Sequence, residues 1–204
     1  REDDGSAFFE SFVEDLFGVN FPPARALAAT LPNENRVLDI AAGSAVWSIP
    51  LAQRSKEVRV TAVDWPGVLA TTRRITERFG VSEQYEFSAG NIETIEFGDG
   101  YDVAVLGHIL HSQGERKSHD LLGKVFRALA PGGTIVIAEF LANDGRSGPP
   151  MPMLFAVNMV VNTEDGDTFT VPEISNWLTK AGFEKSRVLE VPSPSPLILA
   201  NKPA

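Results

Sequence analysis

Short apolar runs rich in valine and isoleucine alternate along the chain with segments of helical periodicity. Strands buried on both faces are apolar throughout, so this alternation predicts an α/β fold with a mostly parallel sheet and helices on both faces. The short turn PSPSP cannot hold a crossover helix, so the last strand is predicted to be antiparallel. The seven predicted strands are residues 36–42, 58–64, 85–88, 101–106, 134–140, 186–191 and 197–201.

Helical segments separate these strands. Pro50 lies inside the first crossover helix, where it removes a backbone hydrogen bond, so we expect that helix to start late or to be kinked. Residues 1–34 are expected to form two helices, at 7–17 and 23–31, that precede a domain at 35–204. The other predicted helices are residues 65–79, 115–129, 153–161 and 172–181.

Composition narrows the class of partner. The chain has 18 basic and 27 acidic residues, and its net charge of -9 disfavours nucleic acid, which binds largely through Lys and Arg. A small molecule is the expected partner. No apolar run approaches the ~20 residues of a membrane-spanning helix, so no membrane is expected. The 204 residues include no cysteine, which fits a reducing compartment, and we expect a cytoplasmic protein.

The strongest chemical signal is VLDIAAGSA, residues 37–45, where a strand runs into a turn of small residues. Small residues let the backbone approach a ligand at the carboxyl end of a strand. The stretch lacks the spacing G-x-G-x-x-G of a pyrophosphate loop, and Asp39 would repel an anion but attract a cationic amino-acid group. Asp64 ends the second strand, where a carboxylate can accept hydrogen bonds from ribose hydroxyls. These features predict a site for a nucleoside carrying an amino acid; the alternative is that both carboxylates only cap loops.

VLDIAAGSA resembles the first motif of class I S-adenosylmethionine (SAM)-dependent methyltransferases, with Gly43 kept and alanine at 41, 42 and 45. RALAPGGTIVIAE, residues 127–139, resembles the segment of that family around the fifth strand. The resemblance implies a Rossmann-like seven-stranded sheet and SAM as the cofactor. The cofactor-binding residues that it implies are Asp39, Ala41, Gly43, Asp64, Trp65, Asn91, Ile92 and Gly107.

GHILHSQGE, residues 107–115, resembles the LHxW(x)DE stretch of small-molecule O-methyltransferases related to plant caffeate and acetylserotonin enzymes and their bacterial relatives. The resemblance implies that His111 is the general base. A phenolic hydroxyl with pKa ~10 must lose its proton as it attacks a methyl group, and imidazole with pKa ~6.5 can accept that proton at neutral pH. Without the motif, the preferred interpretation of His111 is a polar residue that hydrogen-bonds backbone at a strand end.

The other two histidines are assigned no chemistry. His108 is expected to pack near the cofactor, and His119 is expected to lie exposed on a helix. A metal held by His108 and His111 has no evident third ligand, so the sequence predicts no metal site.

Glu139 falls where the resembled family places an acidic residue that orients the catalytic histidine; the alternative is a carboxylate at the mouth of the cleft. Three residues depart from the family pattern. Thr168 stands where a second acidic residue is expected, and Ser112 and Gln113 replace the usual Asp-Trp. The departures are compatible with a different acceptor or with lost activity.

Substrate contacts are expected after the Pro- and Gly-rich break at residues 145–152, where soft apolar side chains mix with amides. Met and Phe at helical spacing are also typical of a core. The predicted substrate-binding residues are Met153, Phe155, Asn158, Met159 and Asn162.

The resembled family normally carries an N-terminal dimerisation domain that closes over the substrate. We therefore expect residues 1–34 to be the remnant or linker of such a missing domain, through which the protein would form a homodimer; the alternative is a minimal variant whose site is open to solvent. Three functions remain open: O-methyl transfer to a hydroxyl of a small aromatic or polyketide-like metabolite, C- or N-methyl transfer by the same fold, and SAM binding without catalysis.

Overall fold

The computed structural model describes residues 6–32 and 35–204, with side chains described from residue 16 onwards. The strands are β1 (Arg36–Ile40), β2 (Arg59–Asp64), β3 (Tyr85–Ala89), β4 (Tyr101–Gly107), β5 (Leu129–Ala138), β6 (Arg187–Leu189) and β7 (Leu197–Asn201). The helices are α1 (Ser6–Thr30), α2 (Ile49–Ala52), α3 (Pro66–Arg78), α4 (Leu110–Ala128), α5 (Pro150–Asn162) and α6 (Val171–Ala181).

The strands form a seven-stranded sheet in the order β3-β2-β1-β4-β5-β7-β6. β1 pairs parallel with β2, β2 with β3, and β4 with β5. β7 runs antiparallel to both β5 and β6. The predicted mostly parallel α/β sheet with an antiparallel last strand is therefore confirmed.

The chain divides into two compact units. The first unit runs to Glu96 and includes Val191–Ser193, so it contains α1 to α3 and β1 to β3. Its core is formed by strand side chains such as Leu38 and Ile40, which are fully buried. Two acidic residues are buried with this core: Asp39 lies within β1 and Asp64 is the last residue of β2.

The structure has one helix before the sheet instead of the two predicted. α1 spans Ser6–Thr30 and continues through Pro22 and Pro23. The two prolines lack the N–H groups that would bond the carbonyls of Gly18 and Val19. Both of these residues are exposed, so water can replace the missing donors and the helix need not end.

The first crossover helix starts late, as Pro50 predicts. α2 is only four residues long, Ile49–Ala52, and Pro50 lies in its first turn, where no helical N–H is needed. All four residues are buried. The preceding residues form a turn that leads from β1 to α2.

The second unit comprises Phe97–Glu190 and Pro194–Ala204, and contains β4 to β7 and α4 to α6. β5 begins at Leu129 and ends at Ala138, so it starts five residues earlier and ends two residues earlier than the predicted strand 134–140. Tyr101 pairs with Leu129, but Val103 pairs with Thr134, so the Pro-Gly-Gly stretch forms a bulge inside β5. A Cβ at Gly133 would lie 2.9 Å from two carbonyl oxygens, which explains why glycine is needed there.

α4 begins five residues before the predicted 115–129, but it is not one continuous helix. Gly114 has φ 71° and ψ 174°, which separates the first turn from the rest of α4. Glycine adopts this backbone conformation without the steric penalty of a Cβ. His111 therefore lies on a short turn, Leu110–Gln113 in extent, rather than on the body of the helix.

We expect the substitution Thr170→Ala to destabilise the second unit. Thr170 caps α6: its Oγ1 accepts a hydrogen bond from the Glu173 amide (3.3 Å), and Glu173 Oε2 accepts one from the Thr170 amide (2.8 Å). Loss of such a cap lowers the free energy of unfolding by about 1 kcal/mol. Thr179→Ala, on an exposed position of the same helix, is the control and should change it by less than about 0.5 kcal/mol. Urea unfolding followed by circular dichroism measures both.

Candidate active site

The small-residue loop after β1 has an unusual backbone. Ala41, Gly43 and Ala45 all have positive φ values, between 54° and 56°. Glycine adopts this region freely, whereas alanine is strained there by roughly 1 kcal/mol. The loop nevertheless keeps its form because Ala42 donates to the Val63 carbonyl (3.2 Å) and Ala45 donates to the Ala42 carbonyl (2.7 Å).

Asp64 is tied to this loop. Its Oδ2 accepts a hydrogen bond from the Gly43 amide (2.9 Å), and its Oδ1 accepts one from the Trp65 amide (2.7 Å). Burial raises the pKa of Asp64, although both amide hydrogen bonds act in the opposite direction. Thr72 Oγ1 binds the Gly43 carbonyl from the other side (2.7 Å). Asp64 and the loop after β1 are thus joined by hydrogen bonds within the first unit.

Asp39 is buried in a polar network that the sequence did not reveal. Its carboxyl group accepts a short hydrogen bond from Ser48 Oγ, and Ser48 Oγ lies 2.9 Å from the Tyr85 hydroxyl. Burial raises the pKa of Asp39 to about 7, Ser48 lowers it, and the charge of Asp64 raises it further. A buried tyrosine at the start of β3 was the available signal, because a buried phenol normally has a polar partner.

The remaining predicted cofactor residues lie at or just after the ends of β2, β3 and β4. Trp65 is exposed directly after β2, and Gly107 is the half-buried last residue of β4. Asn91 and Ile92 are half-buried after β3. Asn91 Oδ1 accepts a hydrogen bond from the Glu93 amide (2.8 Å), which shapes its own turn.

His111 and Glu139 are brought together in the second unit. His111 Nδ1 lies 2.8 Å from Glu139 Oε2, while Glu139 Oε1 accepts hydrogen bonds from the amides of Leu110 (2.7 Å) and His111 (3.3 Å). The carboxylate lies one residue past the end of β5 and is buried. Burial raises the pKa of Glu139, but the charge of His111 and its hydrogen bonds outweigh burial and hold the pKa below its usual value.

Two phenylalanine rings lie near the imidazole of His111. The Phe155 ring meets the His111 imidazole edge to face with centroids 4.8 Å apart, and it lies 4.7 Å from the Phe140 ring. His108, which has a positive φ of 59°, packs on Phe140 at 4.7 Å. Burial lowers the pKa of His108, which favours the neutral form. Phe140 was missed by the sequence reasoning, because a phenylalanine after a strand resembles an ordinary core residue.

The predicted substrate residues on α5 differ in their surroundings. Met153 and Phe155 are half-buried and Met159 is buried. Asn158 and Asn162 are exposed and bind each other, with Asn162 Nδ2 donating to Asn158 Oδ1. Of the five, Phe155 is the one for which a contact with His111 is observed.

The departures from the resembled pattern have different surroundings. Thr168 is buried, and its Oγ1 has no hydrogen-bond partner among the described residues. Ser112 Oγ binds the Ile109 carbonyl (2.9 Å), so it closes the turn that carries His111. Gln113 is half-buried and its Nε2 lies 3.4 Å from Ser112 Oγ.

The described residues contain neither a metal-binding cluster nor a membrane-spanning helix. In residues 6–32 and 35–204, no cluster of three or more His, Asp or Glu side chains could hold a metal ion. In the same part of the chain, no helix is long and apolar enough to cross a membrane.

Comparison with known proteins gives the family. The profile of the O-methyltransferase domain matches residues 25–184. The chain belongs to the O-methyltransferase domain family. The match covers both the carboxylates of the first unit and the His111–Glu139 pair of the second.

Individual relatives differ in chemistry. The O-methyltransferase domain is 32% identical over 187 residues to 3-hydroxy-5-methyl-1-naphthoate 3-O-methyltransferase of Streptomyces sahachiroi, a match that covers 91% of this chain and 54% of the relative. It is 29% identical to L-tyrosine C(3)-methyltransferase of Streptomyces lavendulae, with 84% of this chain and 48% of the relative covered. The chain thus spans about half the length of these curated relatives.

A solved structure shows the same fold. The crystal structure of human N-acetylserotonin methyltransferase in complex with SAM matches with a TM-score of 0.83 and 24% identity, covering 98% of this chain and 57% of that one.

The raised pKa of Asp39 predicts how stability depends on pH. A carboxyl group with pKa 3.8 when unfolded and about 7 when folded favours the folded state fully below pH 3.8 and loses this contribution as the pH rises through 7. We expect Asp39→Asn, which stays neutral, to gain stability relative to wild type between pH 4 and pH 8, by up to about 4 kcal/mol. Urea unfolding at a series of pH values measures the difference. Asp120→Asn, at an exposed position, should follow wild type; parallel curves for Asp39→Asn would contradict the assignment.

Proposed function

We propose that this protein transfers a methyl group from SAM to a hydroxyl of a small aromatic or polyketide-like metabolite, with His111 as general base. The observation that carries the proposal is the hydrogen bond between His111 Nδ1 and the buried carboxylate of Glu139, 2.8 Å long. Membership of the O-methyltransferase domain family supports it, as does the naphthoate-hydroxyl chemistry in the name of the 32% identical relative.

The first unit has the residues that a nucleoside carrying an amino acid requires. Asp39 is a buried acid whose charged form a cationic amino group would stabilise, and each Asp64 oxygen retains acceptor capacity after binding one amide. An acidic loop does not fit a pyrophosphate, so the residues fit SAM better than a dinucleotide. We propose that Asp39, Ala41, Gly43 and Asp64 bind SAM, together with Trp65, Asn91, Ile92 and Gly107. Bound SAM would supply an electrophilic methyl group.

The second unit provides the base. A carboxylate only accepts hydrogen bonds, and Glu139 is held in the ionised form, so His111 Nδ1 must be the protonated nitrogen. His111 Nε2 then carries the lone pair and can take the proton of an acceptor hydroxyl. The imidazolium that forms remains beside the Glu139 carboxylate, which stabilises it.

Aromatic side chains support the proposed class of acceptor. Phe155 and Phe140 lie against each other near His111, and ring stacking suits a flat aromatic molecule. We propose that Phe155 and Met153 contact the acceptor directly. We propose that Met159, Asn158 and Asn162, also on α5, complete the acceptor-binding site.

A second candidate is C-methyl transfer at a carbon of a phenol ring. The name of the 29% identical relative, L-tyrosine C(3)-methyltransferase, favours it, and Thr168 in place of a second acid is compatible with a different acceptor. Removal of a phenolic proton activates the ring carbon as well as the oxygen, so His111 could serve either reaction. Product structure distinguishes the two: radiolabelled methyl transfer to a panel of phenols, followed by mass spectrometry and NMR, locates the new methyl group.

We also propose a cellular location, a type of partner and an oligomeric state for the protein. The absence of cysteine from the 204 residues and the net charge of -9 fit a cytoplasmic protein that binds small molecules and not nucleic acid. We also propose, from the resemblance, that the protein acts as a homodimer through a domain N-terminal to the sheet; the relatives are about twice as long as the matched region, which leaves room for a further domain.

Removing the Asp64 carboxylate should weaken SAM binding. Asp64→Ala loses the acceptor for the ribose hydroxyls and releases the Gly43 amide, so we expect about 1–3 kcal/mol lower affinity. Titration calorimetry with SAM measures it. Glu83→Ala, an exposed acid of the same unit, is the control. Unchanged affinity in a folded Asp64→Ala variant would remove the ribose from this position.

Removing the imidazole of His111 should slow methyl transfer and leave SAM binding intact. Loss of a general base lowers kcat by about 10²- to 10⁴-fold. His119→Ala is the matched control, because His119 is part of the same unit, where it pairs with Glu115 at 3.6 Å and packs on the Trp177 ring at 5.3 Å. Near-normal turnover of His111→Ala would eliminate the base role. Tight SAM binding by wild type without transfer to any phenol would favour the non-catalytic alternative.

A further inference from the structure

The turn that carries His111 is held from two sides. On the amide side, Glu139 binds the backbone of Leu110 and His111 as well as the imidazole. From the body of α4, Ser118 Oγ donates a hydrogen bond to the Leu110 carbonyl (3.4 Å), but Gly114 interrupts the helix directly after the turn. The carbonyl of His111 itself is bound by a separate segment.

The segment of residues 163–168 provides that support. The Asp167 amide donates a hydrogen bond to the His111 carbonyl (2.9 Å). The backbones approach so closely that a Cβ at Gly166 would lie 2.6 Å from the His111 carbonyl oxygen, and a Cβ at Gly114 would lie 2.5 Å from the Asp165 carbonyl oxygen. Two glycines thus let this segment, which we call the support segment, pack directly on the turn.

One arginine holds the support segment in place. Arg146 Nη1 donates to Asp167 Oδ2 and to the Thr168 carbonyl, both at 3.0 Å, and Arg146 Nη2 donates to Glu173 Oε1 at 2.8 Å. Glu173 is fixed in turn by the amide of Thr170 at the start of α6. The planar guanidinium therefore joins the support segment to a helix end, a task for which its forked donors are suited.

We propose that Arg146 is a positioning residue for the reaction: it holds the support segment against the turn of residues 110–113 and thereby fixes the orientation of the His111 ring. The proposal rests on the proposed function, since it assumes that His111 is the base. Arg146 touches neither ring nor carboxylate of the His111–Glu139 pair; the connection runs through Asp167, whose side chain binds Arg146 and whose amide binds His111.

A positioning role and a purely structural role predict different results. The Arg146 and Asp167 side chains are each 41% exposed, and exposed ion pairs of this kind contribute little to the free energy of unfolding. Displacement of a reacting group by about 1 Å can lower a rate by about 10²-fold. Arg146→Gln should therefore stay folded while its kcat falls roughly 10-fold, with the KM for SAM unchanged.

A double-mutant cycle tests the proposal on the full chain. We expect Arg146→Gln to lower kcat roughly 10-fold in wild type and less than about 2-fold in the His111→Ala background, because there is no base left to position. Arg146→Lys should restore part of the rate. Arg116→Gln, an arginine 76% exposed in the same unit, is the matched control and should have no effect.

Gly166→Ala is an independent variant, since Gly166 does not have a positive φ and its Cβ would clash both with Thr163 Oγ1 of the support segment and with the His111 carbonyl oxygen. It should show the same dependence on His111, and Gly123→Ala, whose Cβ would meet nothing closer than 3.8 Å, should behave like wild type. Equal losses of kcat in both backgrounds, or none in wild type, overturn the proposal. A near-normal kcat of the single variant His111→Ala shows instead that His111 is not the base. This failure of the proposed function is detected without any Arg146 variant.

Discussion

A carboxylate buried past the end of β5 requires hydrogen bonds on both oxygens, because an unpaired buried charge is strongly unfavourable. Glu139 obtains them from Leu110 and His111, two amides and one imidazole nitrogen of a single turn. The same contacts that make the buried charge stable therefore fix where the His111 ring lies and which of its nitrogens carries the proton. The hydrogen bonds that satisfy one buried carboxylate thus also hold the imidazole of the proposed base beside it.

The two buried acids of the first unit have different hydrogen-bond donors. Asp64 is bound by two backbone amides, whereas Asp39 has Ser48 as its hydrogen-bond donor and is partly neutral near pH 7. A cationic group of the proposed cofactor would stabilise the charged form of this acid. The strained alanines of the adjoining loop fit the same interpretation, since strain of this kind is typical of ligand sites.

Close backbone packing connects these local features in the second unit. The absence of side chains at Gly114 and Gly166 lets residues 163–168 lie on the turn of His111, and Arg146 keeps them there. A second acid at position 168 is not part of the arrangement; Thr168 is buried there instead. The proposed base therefore depends on Glu139 for which ring nitrogen carries the proton, and on the packing of two segments for its orientation.

The sequence alone determined the order of strands and helices, because apolar runs and helical periodicity follow directly from burial, and it indicated Asp39, Asp64, His111 and Glu139 through motifs at strand ends. Tertiary structure decided what local patterns do not encode. α1 continues through two prolines because its freed carbonyls face water, and the Ser48–Tyr85 and Arg146–Asp167 contacts join residues 37 and 21 positions apart. Contacts over such separations depend on how the strands pair and the loops pack, and no periodicity in the chain records them.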